Sequence, residues 1–263
     1  MIRNIFLFFF ILIQISVCSG QTRKAIPPYK PKLVIGIVVE QMRYDYISRY
    51  WDKFGEGGFK RLINEGTFCK NANYNYIFTQ SAVGHATIST GTFPSYHGIV
   101  SNQWYRRVKE KMVKCTEDDN EITIGSQTKE TGRSAKWLLT SNLADELKMS
   151  SNFQSKAYAV SLKNEAAIFS AGHAADAAFW FDDQTGNWVT SSYYLDSLPG
   201  WLNDFNNKKL PDFYLSRQWN TLLPIEEYHE SFCDTNDYEE GILNQSVFPY
   251  NLPELKSKFY DYS

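Results

Sequence analysis

The residues best placed for chemistry are a serine and a few charges at the ends of apolar runs. Ser81 opens the segment Thr79-Gln-Ser-Ala-Val-Gly-His-Ala-Thr-Ile-Ser-Thr-Gly91, which predicts a helix over 81–90 stopped by glycine. A hydroxyl at that start lies beside unpaired N–H groups and the positive end of the macrodipole, which favours an anion such as phosphate. Serine is also among the commonest N-cap residues, so position alone does not separate chemistry from capping. Glu40 follows the apolar run 32–39, and Lys163 with Glu165 follows the run 156–162. Ligands of open parallel sheets bind beyond the carboxyl ends of the strands, where these charges fall. The bland alternatives stay open: Glu40 as a carboxylate that ends a strand and solvates the next helix, Lys163 as a surface charge.

Other constellations are weaker. His85 follows Ser81 by four residues, so it points one turn along the helix rather than at the hydroxyl. Asp145 and Asp176 could complete a serine-hydrolase triad, yet no spacing selects them. The histidines are His85, His97, His173 and His229, without His-x-x-x-His or His-Glu-x-x-His spacing, so spacing does not point to zinc. His97 falls in the turn 94–99, where a structural hydrogen bond is expected.

These residues need a scaffold, and the chain reads as α/β. The run 32–39 is continuous and β-branched, the signature of a parallel strand buried on both faces. An amphipathic stretch over 44–54 follows, then a glycine-rich breaker and a short helix over 59–65. A longer helix is expected over 134–149, carrying Trp137, Leu138, Leu143 and Leu147, and a second buried strand over 156–162. Strands alternating with helices predict a mostly parallel sheet flanked by helices. From residue 179 a hairpin is expected, with strands at 179–181 and 188–193. The aromatic, Asn- and Pro-rich remainder reads as loops and a small cap. The implied map is a leader over 1–20, an extended lead-in over 21–31, a core over 32–177, and a hairpin-and-loop cap over 178–263.

The chain has 263 residues and a formal charge of −2, with no basic stripe, which argues against a nucleic-acid partner. Hydrophobic content of 43% with 21% charged residues excludes a disordered or fibrous chain. Arg3, the apolar run 5–17 and Cys18-Ser19-Gly20 have the layout of a secretory signal peptide cleaved after Gly20. A lipid anchor through Cys18 is the lesser alternative, and the run is short for a membrane span. The mature chain is therefore expected in the periplasm or outside the cell, without a membrane span. Its cysteines, Cys69, Cys115 and Cys233, are odd in number and lack Cys-x-x-Cys spacing. Oxidising surroundings would permit one disulfide, but three partly buried small side chains are the expectation.

Six segments follow one another in order: 34–46, 81–91, 97–102, 160–173, 178–186 and 201–207. In this combination the chain resembles the amino-terminal half of the PafA-type monomeric alkaline phosphatases. These share a superfamily with type I phosphodiesterases and nucleotide pyrophosphatases. The resemblance implies an alkaline-phosphatase-like α/β fold, incomplete here, with a small aromatic-rich cap. It also implies zinc-dependent hydrolysis of phosphate esters by two metal ions, through a phosphorylated hydroxyl residue.

Carried over position by position, Ser81 falls where the family nucleophile stands and would also meet zinc. Glu40 replaces a metal-binding Asp, adding a methylene that displaces either the metal or the backbone. Asn102 matches an amide that hydrogen-bonds a phosphoryl oxygen, and Lys163 a lysine that contacts the transferred group. Glu165 stands where the family has Arg, reversing the charge that would clamp a dianion. The remaining Asp and His metal ligands belong to the family's second half, which another chain would have to supply. The expectation is an exported family member, impaired or inactive as this short chain. The competing readings are a non-catalytic binding or assembly protein, or a gene fragment, retaining half of the fold, and an unrelated serine hydrolase using Ser81 and His85.

Overall fold

The structure is a computed structural model that describes residues 31–126, 131–236, 238, 239, 241 and 245–254. The expected leader and most of the lead-in lie outside the described residues. The chain divides into two compact units, Met1–Met42 and Arg43–Ser263.

In the first unit the expected strand over 32–39 does not form. Leu33, Ile35 and Ile37 are 74%, 71% and 80% exposed, so the run is not buried on both faces as its composition predicts. A β-branched run becomes a strand only where neighbouring strands take its N–H and C=O groups, and residues 32–39 join no described sheet.

The second unit begins with α1 (Asp45–Arg49), a 3-10 turn (Trp51–Lys53) and α2 (Phe59–Glu65), in line with expectation. Next come α3 (Ser81–Thr90), the short α4 (Pro94–His97), and β1 (Gln103–Arg106) paired with β2 (Lys111–Lys114). The succession continues with β3 (Glu117–Ile124), β4 (Thr131–Arg133), α5 (Leu143–Ser150), β5 (Tyr158–Ser161) and α6 (Asn164–Ala171). After these stand β6 (Ala177–Asp182), β7 (Asn187–Ser191), α7 (Gly200–Asn207), α8 (Leu210–Leu215), β8 (Gln218–Trp219) and β9 (Tyr250–Asn251).

The α/β class holds, with a central sheet flanked by helices. Among the described residues that sheet has the order β4-β3-β7-β6-β5, and it is mixed. Only β5 and β6 run parallel, while the other neighbours are antiparallel. The expected mostly parallel sheet is thus reduced to one parallel pair, because the run 32–39 contributes no strand and a hairpin supplies two. That hairpin, β6–β7, is grouped with the cap by sequence, yet it is built into the core sheet.

The alternation along β6 shows why. Ala178 and Trp180 join one core with Ala82, Ala86, Ala167, Ile168 and Phe169 of α3 and α6. Ala177 and Phe179 point the other way and pack with Leu202 of α7 and with Leu195 and Leu198. Period-two side chains from one strand thereby fill both layers. Ile168 and Phe169 are fully buried, each worth about 1.5–3 kcal/mol relative to exposure.

The helix expected over 134–149 forms only from Leu143. Asn142 accepts the Asp145 N–H at 2.9 Å and Asp145 accepts the Asn142 N–H at 3.1 Å, a reciprocal cap that fixes the helix start. The preceding residues instead thread the core, where Leu138 is buried and Trp137 Nε1 donates to the Glu117 carbonyl at 3.1 Å.

Candidate functional site

Ser81 is the first residue of α3, half-buried, and the helix stops at Gly91 with φ +67°. The residue in the N-cap position, Gln80, makes no capping bond with its side chain. Asn102, distant in sequence, takes the role instead: its Oδ1 accepts the Ala82 N–H at 3.0 Å. One orphan donor of the helix start is thereby satisfied, and the carboxamide is held beside the first turn that carries Ser81. With Oδ1 turned to the helix, Nδ2 is the donor end of that amide. Gln80 Oε1 accepts from Ser101 Oγ at 2.9 Å and from the Asn102 N–H at 2.8 Å.

From Asn102 a hydrogen-bonded path runs to the start of α6. The Cys115 N–H donates to the Asn102 carbonyl at 2.9 Å. The next residue, buried Thr116, donates through Oγ1 to Asn164 Oδ1 at 2.6 Å. Asn164 is the first residue of α6, and Lys163 stands in its N-cap position, exposed, after the parallel strand β5. Helices α3 and α6 also share one apolar cluster through Ala82, Ala86, Ala167 and Ala171. Asn102 is thus tied to the helix start that carries Ser81, and the path from it ends at the helix that Lys163 precedes.

Glu165 sits in the first turn of α6, half-buried, and its charge reaches buried Cys115. Burial, then that carboxylate, pushes the Cys115 thiol up to about 12, so the thiol stays protonated at neutral pH. Cys69 and Cys233 are exposed, contrary to the expectation that all three are partly buried. All three cysteines are unbridged.

Glu40 belongs to the unit Met1–Met42, at a turn after the unpaired run 32–39, and is exposed. Among the described residues no group of three or more His, Cys, Asp or Glu side chains could hold a metal ion. Zinc sites need at least three protein ligands, so Glu40 and Ser81 do not make one, and the described residues do not fit the implied metal pair.

The other candidates have structural work. Asp145 Oδ1 accepts the His173 and Ala174 N–H groups, each at 2.8 Å, so both of its oxygens hold backbone. Asp176 takes Lys148 at 2.9 Å and Lys156 at 2.8 Å. Neither is placed as the third member of a triad. His97 is fully buried, accepting the Ile99 N–H and contacting Thr87 Oγ1, the structural role expected of it. Sequence reasoning missed Gln80: glutamine is not a preferred N-cap residue, and a side chain that reaches across to residues 101 and 102 leaves no local signal.

Among the described residues no helix is long and apolar enough to cross a membrane. Comparison with known proteins gives these positions a context. Alkaline phosphatase PafA of Elizabethkingia meningoseptica is 44% identical over 244 residues, 91% of this chain and 44% of that protein. Alkaline phosphatase PhoV of Synechococcus elongatus is 43% identical over 233 residues, 88% of this chain and 42% of its own. A crystal structure of wild-type PafA superposes with a TM-score of 0.83 at 44% identity, covering 88% of this chain and 45% of that one. The chain thus spans less than half the length of the curated relatives it matches. Residues 34–244 match the type I phosphodiesterase / nucleotide pyrophosphatase family, a span that takes in Glu40, Ser81, Asn102 and Lys163, and the chain belongs to that family.

Proposed function

We propose that this chain carries the nucleophile-bearing part of an exported phosphate-ester hydrolase, with Ser81 as the residue phosphorylated. The observation that carries the reading is the Asn102 carboxamide, held on the Ala82 N–H one residue from Ser81. In this reading Ser81 Oγ gives up its proton to solvent and attacks phosphorus in line, and the bond to the leaving alkoxide or phenoxide breaks. The electron pair departs with that group, which takes a proton from solvent. Water then displaces the Ser81 oxygen from phosphorus, its proton passing through solvent to that oxygen, which releases phosphate and restores the hydroxyl. Asn102 Nδ2 donates to a non-bridging oxygen, and the Lys163 ammonium offsets its charge.

Zinc, which the family resemblance implies, would supply the ionisation of the Ser81 hydroxyl and of the attacking water. Because the described residues do not assemble a ligand set for it, a chain contributing the rest of the family fold is part of the proposal. Residues 1–20 are proposed as the signal for export to the periplasm or beyond, with 21–31 as a lead-in to the fold.

The test is trapping. This chain, mixed with a polypeptide comprising the second half of a family phosphatase, zinc and an aryl phosphate, should yield phosphoserine at Ser81 by peptide mass spectrometry after acid quench. Phosphate on another residue, or none while turnover proceeds, would overturn the assignment. The second reading, a non-catalytic binding or assembly protein, is favoured by Glu165, which places a carboxylate where the family has Arg. It predicts no turnover and no phosphoserine in the same mixture.

A further inference from the structure

We infer that Gln80 is a positioning residue for the Ser81 site, setting the orientation of the Asn102 carboxamide through two linked side-chain clamps. The inference deepens the phosphate-ester reading of Ser81 and rests on it for its functional meaning. The geometry stands by itself. Gln80 has an extended backbone, φ −66° and ψ 160°, in the N-cap position of α3, yet its side chain does not cap that helix. Its Oε1 accepts from Ser101 Oγ and from the Asn102 N–H, at 2.9 and 2.8 Å. Asn102 in turn reaches the helix start, its Oδ1 accepting the Ala82 N–H at 3.0 Å. The Gln80 side chain thus holds the Asn102 backbone while the Asn102 side chain holds the Ala82 N–H, and residues 80 and 82, the N-cap and the second residue of α3, flank Ser81.

The consequence lies in the direction of an amide. A carboxamide has one end that accepts and one that donates. Turning Oδ1 to the Ala82 N–H commits Nδ2 as the donor, the end a phosphoryl oxygen needs. Asn102 and Gln80 are both exposed, so packing does not set that choice. The Asn102 carbonyl has a second anchor in the Cys115 N–H, at 2.9 Å, but a carbonyl anchor leaves the neighbouring peptide planes free to rotate. The double acceptance by Gln80 Oε1 holds the N–H side.

Amide hydrogen exchange on the full chain tests this without any need for turnover. Gln80→Met keeps the length of the side chain and removes the acceptor, whereas Gln80→Glu keeps an acceptor oxygen. The Ala82 N–H, which residue 80 does not bond through its side chain, should exchange about tenfold faster in Gln80→Met, the loss expected for one hydrogen bond. Core amides such as that of Ala178 should hold their rates, showing that the fold is intact, and Gln80→Glu should restore protection at Ala82. The side-chain NH₂ protons of Asn102 should move in the Met variant and return in the Glu variant. If only the Asn102 N–H exchanges faster while Ala82 stays protected, the Cys115 anchor suffices and the inference is wrong. Failure to find phosphoserine at Ser81 would sink the phosphatase reading and leave these rates untouched, so the two failures are separable.

Discussion

Thr87 Oγ1 and His97 Nε2 lie 3.1 Å apart inside the core, tying α3 to α4. The Tyr76 hydroxyl donates to the same Thr87 oxygen at 2.7 Å. Because His97 Nδ1 accepts the Ile99 N–H at 3.2 Å, the neutral ring carries its proton on Nε2 and donates it to Thr87. This buried arrangement holds the far side of the helix that presents Ser81.

Burial holds the His97 pKa below the ordinary histidine value, outweighing a backbone hydrogen bond that works to raise it. The unfolded chain therefore binds a proton first, and folding stability is full above about pH 6.5. It is lost as pH falls through the lowered native value. Urea unfolding at steps from pH 8 to 5 should show this decline, and His97→Gln should flatten it while costing roughly 1–3 kcal/mol at pH 8. An unchanged slope in the variant would mean that another group drives the decline.

Asp176 gives the opposite limb. Burial works to raise its pKa. Hydrogen bonds from Lys156, the Ala157 N–H and Lys148 outweigh this and bring it down to about 2. A carboxylate depressed in the native state contributes stability that is present above the unfolded value of about 3.9 and lost as pH falls through about 2. Asp176→Asn should cost roughly 2 kcal/mol at pH 7 and much less near pH 2. An equal cost at both pH values would show that shape rather than charge matters at this position.

The legible parts of the fold were those whose signal is local. Gly91 and the residues 81–90 marked α3 because a helix stop and a polar start are written within one segment. The hairpin β6–β7 was readable for the same reason, its turn lying between two aromatic strands. Its place in the sheet was not, because pairing with β5 depends on residues far along the chain. The run 32–39 failed in the other direction: composition states that a strand is suitable, not that neighbours exist to pair with it. Within the site, Ser81 and Lys163 were legible as a helix start and a strand end. The clamps of Gln80 and Asn102 were not, since they join side chains to backbone about twenty residues away in the chain.

Metal content can be measured directly. The chain by itself should retain well below two zinc ions after dialysis against a weak chelator, because Glu40 and Ser81 do not amount to the three or more protein ligands a zinc site needs. Elemental analysis against protein concentration decides it. Two ions per chain, retained, would show that ligands outside the described residues complete a site.

The position of Glu165 can be read through Cys115. With a thiol reagent at pH 8, protein beginning at Gln21 should show two fast cysteines, exposed Cys69 and Cys233, and one slow one, buried Cys115. Glu165→Gln removes the negative charge that, after burial, raises the Cys115 pKa. The slow phase should then quicken at pH 9–10, while the fast phases keep their rates. No change in the slow phase would mean that burial alone sets that thiol and that the carboxylate points elsewhere.

Under the proposed function the same residue should bias which ester the complemented protein prefers. Glu165 lies two residues after Lys163, in the first turn of α6; if it faces the proposed phosphoryl site, its carboxylate should oppose a dianionic monoester more strongly than a monoanionic diester. Activity on monoesters should therefore be poor. Replacing Glu165 with Arg should raise monoester turnover more than diester turnover, because a guanidinium can clamp two phosphoryl oxygens at once. Ser81→Ala should abolish both reactions if its oxygen is the nucleophile. Asn102→Ala should lower both by about tenfold to a thousandfold, the range for losing one donor to a developing charge. The measurement is paired kinetics on an aryl phosphate and its methyl diester, with zinc and the second-half polypeptide present. Full activity in Ser81→Ala would remove the nucleophile assignment. An unchanged monoester-to-diester ratio in Glu165→Arg would mean that position 165 does not face the phosphoryl group, and the argument for impaired phosphatase function would fall with it.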